Sequence, residues 1–231
     1  MKTIVRIAAL AALAGPISLA GQPDSAPPSA KPGVTIPAAE QAKGTGYYTI
    51  SGKDRQVYFE SNAPLENIKG QSNQVTGYAV MASGAPGSIA AGEWRLPVNS
   101  MKTGIDLRDE HLAGSDWLDA KKYPDVIFKI EQTKELKEIK KSDAFATYSA
   151  TLVGTLTLHG VSKTVSIPGS TITLLKESAA TAKVAKGDLV SIRSKFTVAL
   201  KDYGVSHPVI GEKVAKDVSL DVMLFLSSKA P

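Results

Sequence analysis

The stretch GTLTLHGVSKTVSIP (154–168) contains two runs of alternating side chains on either side of a His-Gly pair. Leucines alternate with threonines in the first run, and the alternation resumes after the pair. Since side chains of a strand point to opposite faces in turn, this period indicates two half-buried strands. Gly160 provides the permissive backbone that a tight connection needs. We therefore predict a hairpin with His159 in its turn.

The same period-2 pattern recurs from residue 46 to residue 228, with Gly, Asn and Pro between the runs. Trp94 and Leu96 share one face of a run, for example, and Leu220 and Val222 share one face of the last run. Segment 106–125, DLRDEHLAGSDWLDAKKYPD, departs from the pattern because it is mostly polar. It predicts one or two short helices packed over the mouth of a sheet.

About eight alternating strands, one helical insert and no second core predict a mainly all-β fold. A closed or nearly closed antiparallel barrel fits best, with a β-sandwich as the alternative that periodicity does not separate. An eight-stranded barrel is just wide enough to be filled by side chains or to hold one small ligand. In the helical insert, Asp109 and Asp116 are each placed to cap a short helical turn.

The N-terminus has the three parts of a secretory signal peptide: basic Lys2 and Arg6, an apolar run over 7–14, and small residues up to Ala20. A buried N-terminal helix is the alternative. We predict a signal peptide over 1–20 cleaved after Ala20, and hence a periplasmic or secreted protein. The apolar run is shorter than the roughly 20 residues of a membrane span, and no later segment is long and apolar enough. We thus do not expect an integral membrane protein.

Two further regions follow the signal peptide. Residues 21–45 are rich in Pro, Ala and Ser, which favours an extended, disordered linker. Residues 46–228 form the predicted barrel domain. The 231-residue chain has 27 basic and 22 acidic residues, and removal of Lys2 and Arg6 lowers its formal charge from +5 to +3. Because the basic residues are scattered, we expect no nucleic acid partner.

No pattern in the chain is typical of an enzyme or a metal site. Cysteine is absent, which excludes a thiol nucleophile and a thiolate zinc site. No nucleophile elbow, phosphate loop or zinc-binding helix motif occurs. His111, His159 and His207 are far apart, and a helix, a turn and a loop explain them. The carboxylates of 106–125 lack the spacing of a calcium loop. We predict no catalytic residue, metal or cofactor.

Four segments resemble the YceI-like family of lipid- and polyisoprenoid-binding proteins, and along the chain they occur in the family's order. They are ATLVGTLTLHGVSKTVSIP (150–168), KTGIDLRDEHLAGSDWL (102–118), KYPDVIFKI (122–130) and FTVALKDYGVSHPVIGEKVAKDVSLDVMLFL (196–226). The first is similar to the family's strand–turn–strand signature, and the others to its helical insert, tyrosine-proline strand and closing strands. Residues 47–78 match more loosely, with Gly77-Tyr78 where the family usually has Gly-Phe. The resemblance covers about 46–228.

The resemblance implies an extended, lipocalin-like antiparallel barrel with a helix near one end. It also implies an apolar ligand in the barrel, namely a polyisoprenoid, an isoprenoid quinone or a similar lipid, and it admits a homodimer. Since the family's functional positions are mostly apolar lining, the candidates are the faces derived from alternation. The expected tunnel lining is Phe128, Leu156, Leu158, Phe196, Val198 and Leu200, and the rim candidates are His159, Tyr203 and His207.

Three functions remain open at this point. An exported carrier or store of an apolar chain accounts for the barrel and the signal peptide. A stress-response or protein-interaction module would instead have its barrel packed solid. An enzyme that uses His159 or a carboxylate is the third, and the missing motifs argue against it. An ion-paired helix anchor is the expected role of Asp106, Arg108 and Asp109.

Overall fold

A computed structural model describes residues 34–50 and 55–230, and the predicted signal peptide lies outside this part of the chain. Ten strands form one antiparallel sheet with two short helices, α1 (Ala38–Gln41) and α2 (Asp106–Ala113). The strands are β1 (Gly44–Thr49), β2 (Val57–Asn62), β3 (Asn67–Ser72), β4 (Thr76–Ala82), β5 (Ile89–Pro97), β6 (Asp125–Lys141), β7 (Phe145–Leu158), β8 (Val161–Leu175), β9 (Leu189–Ala199) and β10 (Asp217–Ser227).

Eight of the strands close into a barrel. Neighbours follow the order β1-β4-β5-β6-β7-β8-β9-β10, and β1 returns to β10 with Tyr48 opposite Ser227. The hairpin β2–β3 extends the wall from β10, where Leu220 pairs with Phe59. The prediction of an eight-stranded antiparallel barrel with short helices is confirmed, and the sandwich alternative is wrong because the sheet closes on itself.

The buried side chain of Gln56 lies where β1 ends and β2 begins, along the edge of β10 with which both strands pair. The Gln56 amide is 4% exposed. Its Oε1 accepts from the Val75 N–H at 2.7 Å, and its Nε2 donates to the carbonyls of Val75 and Ile50 at 3.2 and 3.3 Å. Buried backbone groups need hydrogen-bond partners, and the Gln56 side chain provides them where the ladder is interrupted.

The hairpin predicted from 154–168 joins β7 to β8. His159 and Gly160 form its two-residue turn, with φ of 50° and 74°. Positive φ at both positions is typical of the turn type whose twist matches that of the strands. A side chain at position 160 would collide with the ring of Tyr123. The prediction of a turn at His159 is confirmed.

The N-terminal segment 34–41 lies on the outside of the barrel. Ile36, 5% exposed, packs with Tyr78, Val80 and Ala91 of β4 and β5. Nearby, Glu40 accepts a hydrogen bond from the Tyr78 hydroxyl at 2.6 Å. The linker prediction of 21–45 therefore extends too far: residues from 34 onward are packed against the barrel, since the apolar residues among the prolines cover an apolar outer face.

Asp109 does not cap a helix, so that prediction was wrong. Helix α2 begins at Asp106, and its N-cap position is Ile105, which makes no side-chain hydrogen bond. Asp109 lies in the middle of α2 and reaches back to Thr103, as described below. No helix of the described residues has the length and apolar character of a membrane span.

Candidate functional site

The barrel encloses a cavity of about 380 Å³. Its lining is mostly apolar and comes from the inward faces of the strands, from α2 and from the segment after β9. The six residues predicted from alternation all line it: Phe128, Leu156, Leu158, Phe196, Val198 and Leu200.

One wall of the cavity is a row of large side chains across β5, β6 and β7. Trp94 lies opposite Phe128, and Phe128 lies opposite Leu156. The rings of Trp94 and Phe128 stack, with centroids 6.1 Å apart and planes 10° apart. Because cross-strand neighbours on one face are in contact, these residues form a continuous apolar surface.

The wall formed by β9 and β10 has the same construction. Phe196 pairs with Leu220, and Val198 pairs with Val218. All four line the cavity, and three of them are only partly buried. Since these side chains line the cavity, their exposed surface borders its interior. A ligand in the cavity would bury that surface.

The floor and the mouth of the cavity lie at opposite ends. Leu152, Ile167 and Ile192 border the inner part and are 2–3% exposed. Beyond them, Ile172 and Leu226 fill the barrel and are fully buried. The charged lining residues are instead exposed or half-buried. The cavity therefore opens at the end where β7 and β9 finish.

Three chain segments form this mouth: the tip of hairpin β2–β3, helix α2 and the loop 204–216. The Leu65 N–H donates to the Glu212 carbonyl at 2.9 Å, and the Ala215 N–H donates to Ser61 Oγ at 2.8 Å. These bonds join the hairpin to the loop. Arg108 of α2 contacts Glu66 of the hairpin at 2.7 Å in an ion pair. The loop and α2 are thus both attached to the tip of the hairpin.

Helix α2 is anchored by Asp109, whose side chain is 6% exposed. One of its oxygens accepts from the Thr103 N–H and from the Thr103 hydroxyl, both at 2.7 Å, and Lys102 Nζ lies 3.5 Å from the other. Burial by itself raises the pKa of Asp109, but the bonds from Thr103 and the charge of Lys102 outweigh it and lower the pKa below its ordinary value. Arg108 and Asp109 thus anchor the helix as predicted, whereas Asp106 is exposed.

Four ionisable side chains of the lining were not identified as site residues from the sequence. Glu66, Arg108, His111 and Lys213 border the cavity at its mouth. They belong to three segments that are distant in the chain, and period-2 alternation finds strand residues only. The one available signal was the spacing of Arg108 and His111, which places them on the same side of a helix.

The predicted rim residues lie at the mouth end but behind the lining. Tyr203 is 3% exposed, and its carbonyl is 3.2 Å from Nδ1 of His159. The His159 ring meets Tyr123 edge-on at 5.1 Å. His207 stacks on Trp117, which does line the cavity, at 4.7 Å. Contact of these three residues with a ligand stays a prediction.

Across the described residues, 34–50 and 55–230, no group of three His, Asp or Glu side chains is arranged to hold a metal ion. The ion pairs among these residues anchor α2, join α1 to β6, or lie on exposed strand surfaces. Arg95 and Glu93, for example, are 2.7 Å apart on β5, with the arginine half-exposed.

The fold and the cavity define an antiparallel barrel with an apolar interior cavity and a helix at the mouth of that cavity. The chain belongs to the YceI-like family: the YceI-like domain matches residues 48–225. UPF0312 proteins of Pseudomonas putida strains F1 and W619 are 28% and 29% identical to it over 115 residues, which are 49% of this chain and 52% of each relative. The chain spans about half the length of the curated relatives it matches.

Solved structures of low identity share the fold. Burkholderia cenocepacia BcnA has a TM-score of 0.55 at 18% identity, covering 74% of this chain and 95% of its own. A polyisoprenoid-binding domain from Saccharophagus degradans, implicated in plant cell wall breakdown, has a TM-score of 0.56 at 15% identity, covering 81% and 99%. A YceI protein of Campylobacter jejuni has a TM-score of 0.50 at 21% identity, covering 71% and 86%.

Proposed function

We propose that this protein binds a long apolar chain, such as a polyisoprenoid, an isoprenoid quinone or a similar lipid, inside its barrel. The observation that carries the proposal is the cavity of about 380 Å³ with its mostly apolar walls. The polyisoprenoid-binding domain among the related structures supports the same ligand class. Binding without chemistry is the simplest use of such a site.

The driving force is the removal of apolar surface from water. A long chain would bury several hundred Å² at about 25 cal/mol per Å², which offsets the cost of immobilising it. Phe196 and Leu220, partly exposed inside the barrel, would lose their remaining exposed surface as well. A packed barrel that serves as a protein-interaction module is the alternative, and an interior cavity argues against it.

Carriage or storage outside the cytoplasm is the role that we propose for the bound lipid. It is supported by the signal-peptide pattern of residues 1–20, which predicts export to the periplasm or beyond. A lipid that leaves a membrane needs an apolar cavity that shields it from water, and the barrel offers one whose mouth lies where β7 and β9 finish. The bound chain would enter there and extend toward the buried floor.

The test uses tryptophan fluorescence, because both tryptophans of the chain, Trp94 and Trp117, line the cavity. Titration with geranylgeraniol should change their emission and saturate at one equivalent. In the variant Phe196→Asp the change should be lost, while Thr197→Asp, on the outer face of the same strand, should bind normally. Absence of any saturable change in the wild type contradicts the proposal.

A further inference from the structure

Among the residues that line the cavity at its mouth, basic side chains outnumber acidic ones, and this excess defines the ligand beyond its apolar chain. We propose that the bound lipid has an anionic head group, a carboxylate or a phosphate, held at the mouth by Arg108, His111 and Lys213. The inference rests on the proposed function and assigns the chemical class of the head group.

Basic side chains approach the opening from two separate segments. Arg108 and His111 are three residues apart in α2, a spacing that places both on one side of the helix. Both line the cavity. Lys213 lines it from the loop 204–216. Since the hairpin β2–β3 bonds to the loop and to α2, these groups are brought around one opening.

The single acid of this lining does not neutralise the basic groups. Glu66 accepts from Arg108 at 2.7 Å, but a guanidinium has five N–H donors and keeps others free. Within the described part of the chain, Lys213 forms no ion pair, and the imidazole of His111 has no hydrogen-bond partner. Arg108 and Lys213 against Glu66 leave one positive charge, and the ring N–H of His111 adds a hydrogen-bond donor.

The shape of the cavity places the head group at these residues. The interior beyond Ile192 is filled by Ile172 and Leu226, which are fully buried and apolar, so a charged group has no partner there. Burying an unpaired charge is costly, whereas the same charge at the mouth keeps water and gains charge-assisted hydrogen bonds. The lipid therefore binds with its chain inside and its anion outside.

The experiment compares three probes with the same apolar chain: geranylgeraniol, geranylgeranoic acid and geranylgeranyl phosphate. Tryptophan fluorescence gives the dissociation constant of each. We expect the carboxylate or the phosphate to bind about ten-fold more tightly than the alcohol. Whichever anion binds more tightly identifies the head group. This preference should weaken as the salt concentration rises, because the mouth is exposed to solvent.

Variants separate this inference from the proposed function. In Arg108→Gln with Lys213→Gln, the affinities for the two anions should fall to that for the alcohol measured in the same variant. Lys213→Gln alone should reduce the preference, and it disturbs no ion pair among the described residues. It therefore serves as the test if the double variant fails to fold. Lys216→Gln is the matched control, since Lys216 is exposed in the same loop and outside the lining.

Each outcome decides one of the two proposals. If the alcohol binds as tightly as both anions, or if the preference survives in Lys213→Gln and in the double variant, the head-group inference is wrong and the proposed function stands. If none of the three probes binds, the proposed function fails and the inference fails with it.

Discussion

Trp94 and Phe128 stack across the β5–β6 ladder, with ring centroids 6.1 Å apart. The pair gives the cavity a flat aromatic wall, and Leu156 continues it on β7. Since Trp94 is also one of two tryptophans in the chain, a ligand on this wall changes a signal that needs no label. Trp94 is thus both a part of the aromatic wall and the residue whose fluorescence reports a ligand bound there.

Phe128→Asp should abolish binding of an apolar chain. The substitution places a carboxylate in the cavity, where an ionised group next to an apolar ligand is strongly unfavourable. We expect the affinity for geranylgeraniol to fall at least about 100-fold, equal to about 2.7 kcal/mol. Fluorescence titration measures the effect.

Phe128→Leu is the matched variant for this substitution. It removes the stacked ring but keeps the wall apolar, so its affinity should remain within about ten-fold of wild type. If Phe128→Asp folds and binds like Phe128→Leu, the ligand does not occupy this part of the barrel.

Gly160→Ala should cost more stability than Gly169→Ala. Both glycines have positive φ, 74° and 68°, so alanine is strained at either position. A side chain at 160 also meets the Tyr123 ring, whereas one at 169 meets nothing within 4 Å. We expect losses of about 3 and about 1 kcal/mol in the free energy of unfolding, measured in urea. Equal losses would mean that Tyr123 does not pack against the turn.

Ile36→Ala should destabilise the barrel even though Ile36 lies outside the sheet. Its side chain is 5% exposed and contacts the outer faces of β4 and β5. Truncation of a buried isoleucine costs about 3 kcal/mol. Leu107→Ala is the control, since Leu107 is 61% exposed and its loss should change stability by less than about 0.5 kcal/mol. A stability unchanged in Ile36→Ala would show that segment 34–41 is not part of the folded domain.

Asp109→Asn should lower stability at neutral pH and flatten its acid dependence. The pKa of Asp109 is lowered in the folded protein, so its contribution is complete above the ordinary pKa of about 3.9 and is lost as pH falls through the folded value. We expect a loss of about 2 kcal/mol at pH 7 that shrinks in acid.

Melting temperatures measured between about pH 2 and pH 7 test this dependence. Asp106→Asn, on the exposed side of the same helix, is the control, and its melting temperature at neutral pH should stay close to that of the wild type. If Asp109→Asn runs parallel to the wild type at all pH values, the carboxylate does not anchor α2.

Much of the barrel was predictable from the sequence because strand alternation is local. The 154–168 hairpin needed only its period and its His-Gly pair, and the six lining positions followed from the same period. The packing on the outer faces of the strands was harder to predict. Tyr78 and Val80 also alternate, yet they face outward beneath Ile36. Apolar residues on both faces of a strand indicate that both faces are covered. The segment that covers the outer face, 34–41, lies in the proline-rich part of the sequence.

The charged mouth was not predictable by the same means. Glu66, Arg108 and Lys213 come from a hairpin tip, a helix and a loop, and only the closed fold brings them to one opening. Asp109 illustrates the same limit. A carboxylate in a short helix suggests an N-cap, but its actual partner is Thr103, six residues earlier. Non-local partners of polar groups have no period in the sequence.

Lipid binding is tested by identifying what the protein holds when it is isolated. The full chain is expressed with export, purified without detergent and extracted with organic solvent, and the extract is analysed by mass spectrometry beside that of Phe128→Asp. We predict a stoichiometric isoprenoid or other long apolar chain in the wild type and none in the variant. An empty wild-type extract, together with no uptake of added geranylgeraniol or its acid and phosphate, would contradict lipid binding in the barrel.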